Sequence, residues 1–253
     1  MELPTDEAHL WLAATDAGLF SPEVLESCRA YLTIEERAQE HTFLSPHVAH
    51  EFVIARALCR TVLSRYAALD PLDWHFTKNK YGRPEIDNGP PDCRLHFNIS
   101  HCDGLVACIV AQDRDIGVDV ECISRNISHL EIAKSMFSPR EYSALSSLPQ
   151  SQHLRRFFEY WTLKESYIKA RGMGLSLPLD QFSFAIDHRE VSISFQGLDD
   201  HPGAWQFDLL QPSLRHQAAA CIKKGVGAPR LNIVEFHVEP QTTAVPFPLR
   251  IIA

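Results

Sequence analysis

"IGVDVE", Ile116 to Glu121, is the stretch on which the fold reading turns. Apolar residues recur at every second position, the period of a strand, so Ile116, Val118 and Val120 point to one face while Asp119 and Glu121 share the other. Like charges side by side on one face repel, and each resists ionising beside its neighbour. Two explanations are open. One is a half-buried strand whose polar face meets water. The other is a hard cation such as Mg2+, which takes carboxylate oxygens as ligands and offsets the repulsion.

The next informative stretch is "YWTLKESYIKARGMG", residues 160 to 174. Read as a helix, it places Trp161, Glu165 and Lys169 at intervals of four, along one side, with Lys164 adjacent. Taken alone, Glu165 and Lys169 make an ordinary surface pair worth about 0.3–0.5 kcal/mol. Taken with the strand, Glu165 supplies a third carboxylate, and Mg2+ keeps its remaining positions for waters and substrate phosphates. A lysine, a histidine and arginines in the same cleft suit a phosphate-rich ligand. The inferred chemistry is phosphoryl transfer. The chain has neither a G-x-x-x-x-G-K-[ST] loop nor G-x-G-x-x-G, so an ordinary nucleotide cradle is not supported. Trp161 reads as core beside Phe157 and Phe158, and Gly172 and Gly174 as a helix stop and tight turn.

The rest of the chain is consistent with an ordinary globular protein of 253 residues, 45% hydrophobic. A formal charge of -8 argues against a general nucleic-acid binder. Seven scattered cysteines without a C-x-x-C pair favour a reduced, intracellular protein over a disulfide framework. "MELPTDEAHLWLAATD" lacks the basic and apolar regions of a secretory signal, and no apolar run approaches the ~20 residues of a membrane helix. A soluble cytoplasmic protein is expected, with no membrane partner. Cys93, His96, His101 and Cys102 hint at zinc, but the alternation of "RLHFNIS" points Cys93 and His96 apart.

Strands are expected at "HLWLAATD", "WHF", "RLHFNISHCDGLVACIVAQ", "FSFAI", "AWQFDLL" and "RHQAAACIKK". Helices are expected at "SPEVLESCRAYL" with Ser21 as cap, at "TIEERAQE" with a Thr33/Glu36 capping box, and from Ser45 and Pro46 through the long "HVAHEFVIARALCRTVLSRYAAL". On that long helix Arg56 and Arg60 stand one turn apart and could approach one ligand, although such a pair is more often simply a solvated face. "SPREYSAL" repeats the capping-box spacing with Ser138 and Glu141. The polar "AQDRD" (111–115) is the expected linker, and the second half echoes the first.

These motifs together resemble the Sfp-type 4'-phosphopantetheinyl transferases. The family hallmarks are a G-[IV]-D-[IV]-E strand, here "GVDVE" at 117–121, and a W-x-x-K-E-[AS]-x-x-K helix, here from Trp161. "YGRPEI" (81–86) and "FNISHCDG" (97–104) match two further family stretches, so the likeness spans most of the chain. The resemblance implies transfer of the phosphopantetheine arm of coenzyme A to a serine of an apo acyl, peptidyl or aryl carrier protein, with release of 3',5'-ADP. It implies Asp119, Glu121 and Glu165 as Mg2+ ligands, with Glu165 also the base toward the serine, directly or through water. Lys169 would stabilise phosphate charge and Asp119 would share the catalytic work. Arg83, Ser100 and His101 would contact the nucleotide end of coenzyme A, with Arg56 and Arg60 aligned more loosely.

The expected fold is α/β of the α+β type, with two similar pseudo-twofold halves (1–112 and 113–253), each a small sheet packed on a long helix. Coenzyme A is expected in the groove between them, and a monomer follows from one chain holding both halves. Two rival readings are a metal-dependent pyrophosphate or phosphoester hydrolase, and a non-catalytic coenzyme A binding protein.

Overall fold

The computed structural model of the chain describes residues 2–15, 22–124, 127–187, 190–225 and 227–235. They divide into two units.

The first unit holds strand β1 (Glu7–Ala14), helices α1 (Pro22–Arg29), α2 (Ile34–Glu40) and α3 (Pro46–Tyr66), and strands β2 (Phe76–Lys78), β3 (Pro84–Ile86), β4 (Leu95–Cys102) and β5 (Leu105–Gln112). The second holds β6 (Ile116–Cys122), α4 (His129–Met136), α5 (Pro139–Ser146), α6 (Gln150–Arg171), β7 (Phe182–Asp187), β8 (Glu190–Phe195), β9 (Trp205–Ser213) and β10 (His216–Lys223). Each unit thus runs strand, three helices, four strands. In each, the last of the five strands pairs antiparallel with both the first and the fourth, giving β1-β5-β4 and β6-β10-β9. The echo between halves therefore holds at the level of element order and strand pairing.

The division between units falls between Asp113 and Arg114, inside the stretch 111–115. Two pieces of chain depart from a single cut. Asn79–Arg83 belongs with the second unit, and β11 (Arg230–Glu235) returns to the first and pairs parallel with β1. That last strand, with β3, β8 and α4, is absent from the elements expected of the sequence.

In the first unit, Val53, Ile54, Leu58 and Val62 of α3 pack on Trp11, Val106, Cys108 and Val110 of the sheet. In the second, Phe157, Phe158, Leu163 and Tyr167 of α6 pack with Phe182, Phe184, Trp205 and Ala219. Each such side chain contributes about 1.5–3 kcal/mol through removal from water, so the two long helices are what organise the cores.

Local signals behave as their chemistry dictates. Thr33 with Glu36 and Ser138 with Glu141 each close a reciprocal capping box. Ser45 sits at the N-cap of α3 without a side-chain hydrogen bond, leaving Pro46 as the start signal. Ser21 lies outside the described residues. Helix α6 ends at Gly172, whose φ of 63° is the left-handed region that glycine enters at least cost.

Candidate active site

Strand β6 meets helix α6 face to face, and Gly117 is the point of closest approach. A Cβ at Gly117 would lie 2.1 Å from Ser166 O and 2.5 Å from Ala170 N, so only glycine lets the strand come this near. Strand alternation puts Asp119 and Glu121 on that same face, turned toward α6 and not toward open water. Ile116, Val118 and Val120 on the other face are also buried. The polar-face explanation of "IGVDVE" therefore fails for its innermost carboxylate: Asp119 is 4% exposed. Opposite it on β10 stands Ala219, whose small side chain leaves the carboxylate room.

Along α6, almost every residue from Phe157 to Ala170 is buried, and the partly exposed ones are Trp161, Glu165 and Lys169. This is the stripe expected from their spacing. Lys169 Nζ donates to Asp119 Oδ1 at 2.7 Å, so the strand and helix motifs converge. Glu165 feels both strand carboxylates. Its carboxyl is pushed up to about 7, first by burial, then by Asp119, with Lys169 pulling down and Glu121 adding a smaller push. Three carboxylates and one ammonium thus share one electrostatic neighbourhood. This donor set suits a hard, oxygen-loving cation, because a divalent charge would relieve the mutual repulsion recorded at Glu165.

Neighbouring motif residues do different work. Lys164 is 1% exposed and pairs with the buried Glu141 at 2.8 Å while donating to Leu179 O and Phe182 O. It is a strut between α6, α5 and β7, despite lying next to Glu165. Trp161 stacks on Phe157, with ring centroids 5.8 Å apart, in keeping with its expected core role. Arg83 donates from Nη1 to Ala170 O at 3.0 Å, and Asn79 Nδ2 donates to Gly172 O at 2.9 Å. The "YGRP" turn therefore clasps the C-terminal end of α6, just past Lys169. Arg83 Nε is buried without a hydrogen-bond partner.

The remaining expected ligand residues lie in the first unit. Ser100 is buried on β4, and His101, three residues before Gly104, is mostly exposed, its Nδ1 3.9 Å from Glu51 Oε2. Arg56 and Arg60 do approach one group together, but that group is Glu36. Arg60 is 3% exposed and divides its donors between Glu36, Pro71 O and Trp74 O. Its guanidinium is turned into the protein, holding α2 and the segment after α3. Arg56 lies over the Phe52 ring and 3.7 Å from Glu36.

A family model for the 4'-phosphopantetheinyl transferase superfamily matches residues 115–222, from just before β6 to the end of β10. The 4'-phosphopantetheinyl transferase HetI of Nostoc sp. is 36% identical over 192 residues, covering 75% of this chain and 78% of its own. This chain belongs to the 4'-phosphopantetheinyl transferase superfamily. The 4'-phosphopantetheinyl transferase Sfp of Bacillus subtilis is 38% identical over 181 residues, covering 72% of this chain and 78% of its own. Among solved structures, holo-acyl-carrier-protein synthase of Thermotoga maritima aligns over 44% of this chain and 62% of its own, at TM-score 0.36 and 17% identity.

In this phosphopantetheinyl transferase two residues that shape the site escape a search for reactive side chains. Gly117 has no side chain to attract notice; its signal is a glycine inside a strand, a common mark of close backbone approach. Glu141 reads as half of a capping box, which it is, yet the same carboxylate also anchors Lys164. No local pattern distinguishes that double duty.

Proposed function

We propose that the chain transfers 4'-phosphopantetheine from coenzyme A to a serine hydroxyl of an apo acyl, peptidyl or aryl carrier protein, in a Mg2+-dependent reaction that releases 3',5'-ADP. The observation that carries this reading is the convergence of Asp119, Glu121, Glu165 and Lys169 where β6 and α6 touch. Asp119, Glu121 and Glu165 would hold the Mg2+, which when bound neutralises charge on the pyrophosphate of coenzyme A. Glu165 accepts the proton of the attacking serine, directly or through water. Lys169, kept in place by Asp119, meets the charge that develops on the transferred phosphate. Ser100, His101 and Arg83 contact the nucleotide end; the unsatisfied Arg83 Nε supports an anionic group near it. Arg56 and Arg60 are the weakest of the proposed contacts, since Glu36 occupies them.

Seven free cysteines, six of them buried, support a reducing compartment such as the cytoplasm. Among the described residues, no helix is long and apolar enough to cross a membrane. Two α+β units within one chain support a monomer, and sedimentation of an obligate oligomer would refute it.

The test is the intact mass of an apo carrier protein after incubation with the chain and coenzyme A, with and without Mg2+. A Mg2+-dependent phosphopantetheine adduct on the carrier serine is expected. Breakdown of coenzyme A with every carrier unmodified would replace transfer by hydrolysis.

A further inference from the structure

We propose that His47, Glu51 and Asp103 form a separate cation site in the first unit, one that takes a divalent transition-metal ion of the Zn2+ class. The proposal goes beyond the transferase reading and does not depend on it.

His47 and Glu51 are four residues apart on α3 and so project from one side of the helix. Asp103 comes to them from the turn between β4 and β5, which Gly104 closes at a φ of 88°. His47 Nε2 lies 2.8 Å from Asp103 Oδ1 and 3.3 Å from Glu51 Oε1, and one ligand atom from each residue falls within 4.8 Å of the others. Nitrogen and oxygen ligands about 2.0–2.2 Å from a tetrahedral Zn2+ stand roughly 3.3–3.5 Å from each other. The His47–Glu51 separation already matches that spacing, and the exposed Asp103 needs only a small side-chain adjustment to reach it.

Glu51 supplies the second observation. It is 6% exposed, it accepts from the Gly104 backbone N–H, and its Oε1 is buried with no hydrogen-bond partner, aimed at His47. Burying a carboxylate beside a second carboxylate is costly unless positive charge compensates it. A cation bound by His47 Nε2, Glu51 Oε1 and Asp103 Oδ1 satisfies all three at once. The imidazole nitrogen decides the class of ion, since such donors favour Zn2+ and its neighbours over Mg2+. The acidic set around Glu165, by contrast, offers only oxygen. His101 Nδ1, 3.9 Å from Glu51 Oε2, places a second imidazole at the rim.

The test is a titration of the full, tag-free chain with Co2+, followed by Zn2+. With excess Mg2+ present to occupy the oxygen-only set, one equivalent of Co2+ is expected, with visible bands of a nitrogen and oxygen ligand set that Zn2+ abolishes. His47→Ala and Asp103→Asn, whose side chains are 41% and 55% exposed and so tolerate change, should each weaken that equivalent at least roughly tenfold. Glu51→Gln should do the same, whereas Asp119→Asn should leave the bands intact. Unchanged binding in His47→Ala, a near-ultraviolet thiolate band, or no Co2+ bound would each overturn the proposal.

Discussion

At Glu165, burial and two neighbouring carboxylates work against ionisation while Lys169 works for it, and the first group wins. The ordinary value of 4.5 rises to about 7. For an acid whose folded value is raised, ionisation opposes folding. The associated stability is therefore present below about pH 4.5 and is lost as pH rises through 7. Urea unfolding of the metal-free chain should accordingly show stability falling between about pH 4.5 and about 7 and levelling off above, and Glu165→Gln should flatten that fall; parallel curves for the two proteins would refute the assignment. Cation binding has the opposite slope, because a proton must leave first. Apparent Mg2+ affinity measured by calorimetry should rise about tenfold per pH unit below 7 and level off above it. At this scale the sequence was legible where position alone determines neighbours, as for Glu165 and Lys169 along one helix face. It was illegible for Arg60. A guanidinium on a helix reads the same whether it faces a ligand or, as here, Glu36 and two backbone carbonyls in the interior.

Between elements, the strand and helix of the site are held at contact distance by an absence, the missing side chain of Gly117. Gly117→Ala would set a methyl group 2.1 Å from a backbone carbonyl that cannot rotate away, so α6 must shift. Overpacking of this kind costs about 1–3 kcal/mol. It would also part Lys169 from Asp119, so activity should fall far more than stability does. Full transfer activity in Gly117→Ala would show that the helix tolerates displacement. Lys164 presents the converse case. Its substitution by Met leaves Glu141 buried without its ammonium, a loss of about 3–5 kcal/mol for a fully enclosed pair. A denaturant midpoint that hardly moved would mean Ser138 and Phe184, which also donate to Glu141, suffice alone. Capping boxes such as Ser138 and Glu141 could be foreseen because three residues set them. The pairing of Glu141 with Lys164 could not, because it depends on how α5 lies against α6.

Across the whole chain, the recurrence of a long helix followed by short strands was readable because each half carries its own long amphipathic helix and alternating runs, whereas the short β3, α4 and β8 that complete the repeat were not. Strand β11 breaks that symmetry. "RLNIVE" has the composition of a strand, yet nothing nearby names its partner, which is β1 at the far end of the chain, with Glu7 opposite Arg230 and Leu10 opposite Ile233. Parallel pairing over such a separation is set by the assembled first unit. Its consequence is that β1 lies inside a four-stranded sheet, between β11 and β5, instead of at an open edge. Glu7 ties the arrangement together, taking contacts from Arg230, Asn232 and His9. A chain ending at Pro229 would lose all of these except His9 and leave the β1 ladder unpaired on one side, a state prone to fraying and to edge-to-edge association. Hydrogen exchange followed by mass spectrometry should then show amides of β1 exchanging faster than in the full chain, while those of β6 and β10 in the second unit keep their protection. If β6 lost protection to the same degree, the last strand would be stabilising the whole molecule cooperatively and not the first unit alone.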